Sequence, residues 1–170
     1  MDVRNNMQNV AFKQNLLFRT NKKSPEQAVE FIENLIKLPK AMGINKPAEI
    51  IPTSKNQWIV PDLNTQTGRV IKVIADNLEM AKIHRTPPSR AIIDILDEAR
   101  ECTKETLFSD TPTGKILSLI EDRLVWVYSG FEKSEIMLQE LLKKAVNILA
   151  SDNNEVKKIH LDKSITLFKD

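Results

Sequence analysis

Residues Gly114 and Lys115, in the stretch TPTGKILSLIEDRL (111–124), have the residue types of a phosphate-binding loop. That loop needs a second glycine five residues earlier, a hydroxyl after the lysine and a preceding strand. Here Ser109 occupies the earlier position, Ile116 follows Lys115, and the preceding segment has helical character. Nucleotide binding of that type is excluded. A weaker chemistry remains, since Gly114 and Lys115 would be the third and fourth residues of a helix capped by Thr111. Gly68 and Arg69 repeat the arrangement after Thr65. Free N–H groups beside a cation can hold an anion, which makes Arg69 and Lys115 candidate anion contacts. The alternative is that threonine caps, glycine permits close packing and the base is solvated.

Other reactive types are sparse. Asp94, Asp97, Glu98, Glu101 and Glu105 share one helical face, with Arg90 and Lys104 spaced as ion-pair partners. A carboxylate-bridged di-iron bundle requires Glu-x-x-His pairs, yet Ala81 precedes His84 by three residues and Lys157 precedes His160 by three. A solvated acidic face is expected. Cys102, the only cysteine, falls at the edge of an Ile92/Ile95/Ala99 face and is expected to be an inert thiol. One cysteine permits no internal disulfide, and a reducing compartment, the cytoplasm, is the default. No catalytic group, metal site or cofactor is assigned.

Charge is unevenly placed. The net charge is +2 from 25 basic and 23 acidic residues. Residues 1–23 hold Arg4, Lys13, Arg19, Lys22 and Lys23 against Asp2, leaving 20 − 22 = −2 for residues 24–170. Met7, Val10, Ala11, Leu17 and Phe18 approach helical spacing in this arm. It could meet a nucleic acid or membrane surface through Lys13, Arg19, Lys22 and Lys23, or dock on the body through Phe12 and Phe18.

The elements that must position these residues read as helices. Ser24, Pro25 and Gln27 form a capping box ahead of a helix over 24–38, ended by Pro39. Four more helices are expected over about 66–84, 87–106, 112–129 and 133–150, with Thr86 and Thr111 as N-caps before proline. Four prolines break the connector at 39–64, where QWIV (57–60) suits a short strand or an anchor. The end of the chain, KKIHLDKSITLFKD, alternates weakly and suits either a docked tail or a strand.

Two of these stretches match each other without a gap. Set 46 apart (111 − 65), residues 65–104 and 111–150 are identical at Thr65/Thr111, Thr67/Thr113, Gly68/Gly114, Ile74/Ile120, Asp76/Asp122, Leu78/Leu124, Leu96/Leu142 and Ala99/Ala145. Shared periodicity inflates such a count, but it does not explain the Thr-x-Thr-Gly-basic opening. The expectation is a duplicated helical hairpin (65–106 and 111–150). A 46-residue, two-helix period lies in the range of HEAT-like repeats, which usually need three units. With two, a compact bundle closed by the first helix is simpler.

The fold expected is therefore all-α: about five helices in one domain over 24–151, a basic arm at 1–23 and a tail at 152–170. In the helix at 112–129, Ile116, Leu117, Ile120, Leu124, Val127 and Tyr128 make the main face. Leu119 and Trp126 form a second stripe beside Arg123. Either the connector or the first helix covers that stripe, or it meets a partner, another protein or a second copy. By elimination a non-catalytic binding or scaffolding role is expected, ahead of an anionic-surface binder and an enzyme.

Overall fold

The computed structural model describes residues 15–21, 24–41, 49–103, 110–130 and 134–161. These divide into two compact units. One contains the chain up to Thr65 and from Asp152 onward, the other Gln66–Ser151. The all-α expectation is corrected: beside five helices the described residues build a four-stranded mixed sheet.

In the first unit the sheet order is β2-β3-β1-β4, with β1 at Asn15–Arg19, β2 at Ile51–Ser54, β3 at Gln57–Val60 and β4 at Val156–His160. β1 pairs antiparallel with β3 (Leu16 opposite Val60, Phe18 opposite Trp58) and parallel with β4 (Phe18 opposite Ile159). Helix α1, Pro25–Ala41, lays Ala28 and Ile32 on Leu16, Phe18, Trp58, Val60 and Ile159. The helix expected at 24–38 thus covers a sheet face within its own unit. It also runs on through Pro39, which the sequence suggested as its end. Its capping box forms as expected: Ser24 Oγ accepts from Gln27 N–H (3.3 Å), and Gln27 Oε1 accepts from Ser24 N–H (3.4 Å).

The other sheet face carries Leu17, Ile51, Ile59 and Val156, all buried. Leu17 and Phe18, assigned above to a basic amphipathic arm, therefore lie on opposite faces of a central strand. The fully buried Asn15 ties three segments of the unit together. Its Oδ1 accepts from Asp62 N–H at 2.7 Å, and its Nδ2 donates to the Glu155 carbonyl at 2.9 Å. At the β2–β3 turn Asn56 has φ 60°, a left-handed conformation that asparagine tolerates.

The second unit is inserted between β3 and β4. It contains α2 (Gln66–His84), α3 (Pro88–Cys102), α4 (Pro112–Tyr128) and α5 (Ser134–Ala150). Each packs on the next, and α5 returns to α2, while the diagonal pairs α2/α4 and α3/α5 touch less. That pattern is a closed four-helix bundle; short connections make sequential helices antiparallel. Val70, Ile71, Ile74, Ile92, Ile95, Ile116, Ile120, Leu141 and Leu149 are its fully buried core.

Thr111 caps α4 as expected, its Oγ1 accepting from Gly114 N–H at 3.0 Å. Thr86 does not cap α3. Pro87 occupies the N-cap position and no side-chain cap bond forms, because the second proline, Pro88, shifts the helix start by one residue. α2 ends with Arg85 at φ 53° and Thr86 N–H bonded to the Ala81 carbonyl (2.9 Å). This termination normally takes glycine. Arg85→Gly is expected to raise stability by about 0.5–1 kcal/mol, because arginine carries a left-handed penalty that glycine escapes. Equilibrium urea denaturation checks it, an unchanged midpoint being the contrary result.

Candidate functional site

Trp126 stands on the outside of α4, 38% exposed, with Leu119 one heptad earlier half-buried. One brace on Trp126 is local. One turn before, the Arg123 guanidinium lies over the indole with its carbon 4.8 Å from the ring centroid. Arg123 Nη1 also meets Asp122 Oδ2 at 2.7 Å, and only 12% of the arginine side chain is exposed. Its Nε is buried without a hydrogen-bond partner among the described residues. A cation over an indole at i and i+3 contributes about 0.5–2 kcal/mol. Holding the ring in one orientation also lowers the ordering cost of any contact made through it.

Other exposed apolar residues lie toward the same end of the bundle. Met80 and Ile83 near the end of α2, Val125 and Tyr128 beside Trp126, and Ile136 at the start of α5 are all more than half exposed. Tyr128 thus stands outside the core face on which the wheel put it. In an up-and-down bundle the ends of α2 and α4 and the start of α5 come to the same end. It is the end away from where the chain enters at Gln66 and leaves at Ser151. Single exposed apolar residues are ordinary; here Val125 and Tyr128 accompany Trp126 on the last turn of α4.

The first unit holds a separate shallow groove of about 400 Å³ lined by Val29, Glu33, Ile36, Ile50, Pro52 and Trp58. It lies between α1 and the edge strand β2. Helical periodicity could not reveal it, since it exists only once the connector folds as a hairpin. Pro52 removes a backbone donor from that edge and a register shift follows it, features that discourage strand addition.

Of the candidate anion contacts, Arg69 and Lys115 belong to the helical unit and Arg19 to the sheet unit. Gly68 and Gly114 are the third residues of α2 and α4, both buried, so Arg69 and Lys115 stand at helix starts at one end of the bundle. Arg69 is half-buried and its charge acts on the Cys102 thiol, whereas Lys115 is exposed. Arg19 lies in β1 and donates to Gln57 Oε1 from Nε (3.2 Å) and Nη2 (2.8 Å). Lys13, Lys22 and Lys23 lie outside the described residues.

On α3, Asp97, Glu98 and Glu101 are exposed, Arg90 pairs with Asp94 at 3.4 Å, and Glu98 accepts from Asn77 Nδ2 at 2.6 Å. Glu105 and Lys104 lie outside the described residues. Among the described residues no group of three His, Cys, Asp or Glu side chains is placed to hold a metal ion. Burial pushes the Cys102 thiol up, nearby Arg69 opposing and Glu101 and Glu98 adding to the shift, so the thiol form is favoured. No helix among the described residues is long and apolar enough to cross a membrane.

The class defined is a helix-covered mixed sheet carrying an inserted four-helix bundle. No protein-family model, curated protein or solved structure matches the chain significantly.

Proposed function

We propose that the protein is a non-catalytic binding or scaffolding module whose helical unit makes the contact through Trp126. The observation that carries this is the exposed indole held by a nearly buried arginine on the last turn of α4. Tryptophan and arginine are the residue types that most often dominate interfaces. The single cysteine fits a reducing compartment, and we take the cytoplasm as its setting. The 46-residue correspondence is supported by burial. Thr67/Thr113, Gly68/Gly114, Val70/Ile116, Ile71/Leu117, Ile74/Ile120, Ile95/Leu141 and Ala99/Ala145 are buried in both members. We read the bundle as two copies of one hairpin. The anionic-surface reading has less support, because Arg19 is engaged within the sheet.

Trp126→Ala is the test. The side chain is 38% exposed and makes a cation–π pair with Arg123, so the expected loss of stability is under about 2 kcal/mol. Quantitative capture on the immobilised protein is expected to show at least one binding partner lost with the variant. A large fall in melting temperature would make Trp126 a structural residue, and capture identical to the parent would remove it from any contact.

A further inference from the structure

The sheet unit is discontinuous: β4 joins it only after the chain has passed through the whole of 66–151. Among the described residues β4 pairs with β1 alone, at the edge and in parallel. Parallel pairing is slightly the weaker kind per residue. The other pairs, β1 with β3 and β2 with β3, lie within residues 15–60 and do not span the insertion. Bringing two distant segments together costs entropy that grows with the length of free chain between them. An unfolded 66–151 would be a long free loop. The folded bundle is not, because α5 packs back on α2 and returns the chain beside its point of entry.

The two connections are built alike. Asp62 heads one turn, its Oδ1 accepting from Asn64 N–H (3.0 Å) and its carbonyl from Thr65 N–H (3.0 Å). Asp152 heads the other in the same way, with Asn154 N–H (2.9 Å) on its Oδ1 and Glu155 N–H (3.1 Å) on its carbonyl. An aspartate bonded to the backbone two residues on fixes such a turn locally. Buried Asn15, the first residue of β1, then holds the two connections together. Asp62 N–H donates to its Oδ1, while its Nδ2 and its own N–H (3.2 Å) both donate to the Glu155 carbonyl. The chain is thus held both where it leaves the sheet unit and where it comes back. We propose that the bundle controls the sheet edge: while it is folded, β4 stays clasped on β1 through Asn15, and when it opens, β4 leaves the sheet. The coupling runs through the two covalent connections and is reciprocal, so a ligand that stabilises the bundle also holds β4 in place. Release uncovers the backbone edge of β1 beside Leu16, Leu17 and Phe18, an apolar strand able to accept another strand.

Amide hydrogen exchange of the full chain, read segment by segment by mass spectrometry, tests this. A flexible Gly/Ser linker of about twenty residues, inserted between Ser151 and Asp152, leaves every side chain in place and lengthens only the closing loop. Exchange over 156–161 is expected to rise about tenfold or more, with 57–60 and the bundle core at the parental rate. Asn15→Leu, which keeps the size of the side chain and removes its bonds, is expected to give the same pattern. Leu141→Ala opens the bundle at lower urea than the parent needs. In that window 156–161 is expected to exchange with the bundle while 57–60 stays protected. Should Leu141→Ala fail to fold, Ile120→Val takes its place. Exchange over 156–161 that is unmoved by the linker or by Asn15→Leu, or that stays slow once urea has opened the bundle, overturns the proposal. Loss of protection over 57–60 together with 156–161 overturns it as well, since the sheet would then be one cooperative block.

Discussion

Phe18→Ala is expected to destabilise the sheet unit by about 3–5 kcal/mol, the range for deleting a large aromatic from a core. Phe18 has no exposed surface and sits in the central strand. It faces Trp58 across one ladder and Ile159 across the other, with Ala28 and Ile32 of α1 in the same cluster. Removing it opens a cavity bordered by three strands and a helix, and a core this small has little capacity to collapse around it. The two tryptophans make the measurement selective, since Trp58 lies in the sheet unit and Trp126 in the helical unit. Denaturation of Phe18→Ala in a Trp126→Phe background, followed by Trp58 fluorescence, should show the loss. A change below about 1 kcal/mol would mean that the strand is not held in the core as described.

The same residue shows why the sheet was hidden, although QWIV (57–60) suited a short strand and forms β3, and part of the chain's alternating end forms β4. The helices were legible because each buries one face, and positions such as Ile116, Ile120, Leu141 and Ala145 recur at a helical period. Strands reveal themselves by alternation only when one face is wet. In β1, Leu16, Leu17 and Phe18 are buried in succession, and in β3 Trp58, Ile59 and Val60 are too. No period of two survives in such runs. Each strand is also four or five residues long, and the partners that define β1 lie in β3 and, about 140 residues away, in β4. Local propensity has no access to that pairing. In the candidate site the sequence isolated Leu119 and Trp126 as a separate stripe and noted Arg123 between them. It did not show that the arginine lies over the indole, which depends on rotamers. Nor did it show that Arg19 belongs to the sheet, since the hydrogen bonds to Gln57 require the β1–β3 register.

Leu141→Ala should cost the helical unit about 2–5 kcal/mol, while Leu142→Ala should cost only about 1 kcal/mol. From the sequence the two are interchangeable, both lying on the wide apolar arc of α5, and a large loss is expected at each. The structure separates them. Leu141 is fully buried, whereas Leu142 is half-buried on the flank. The 46-residue correspondence sharpens the contrast, because Leu141 matches Ile95, also without exposure, and Leu142 matches Leu96, which is 4% exposed. If the hairpins used their core positions identically, Leu142 would be as costly to truncate as Leu96. The expected order is Leu96 well above Leu142, with Leu141 comparable to Leu96. A unit of this size shifts its midpoint by roughly 4–8 °C per kcal/mol, so thermal unfolding followed by Trp126 fluorescence resolves these differences. Equal losses at Leu141 and Leu142 would mean that α5 is rotated toward its neighbour, burying the flank and bringing the second hairpin into the same packing as the first.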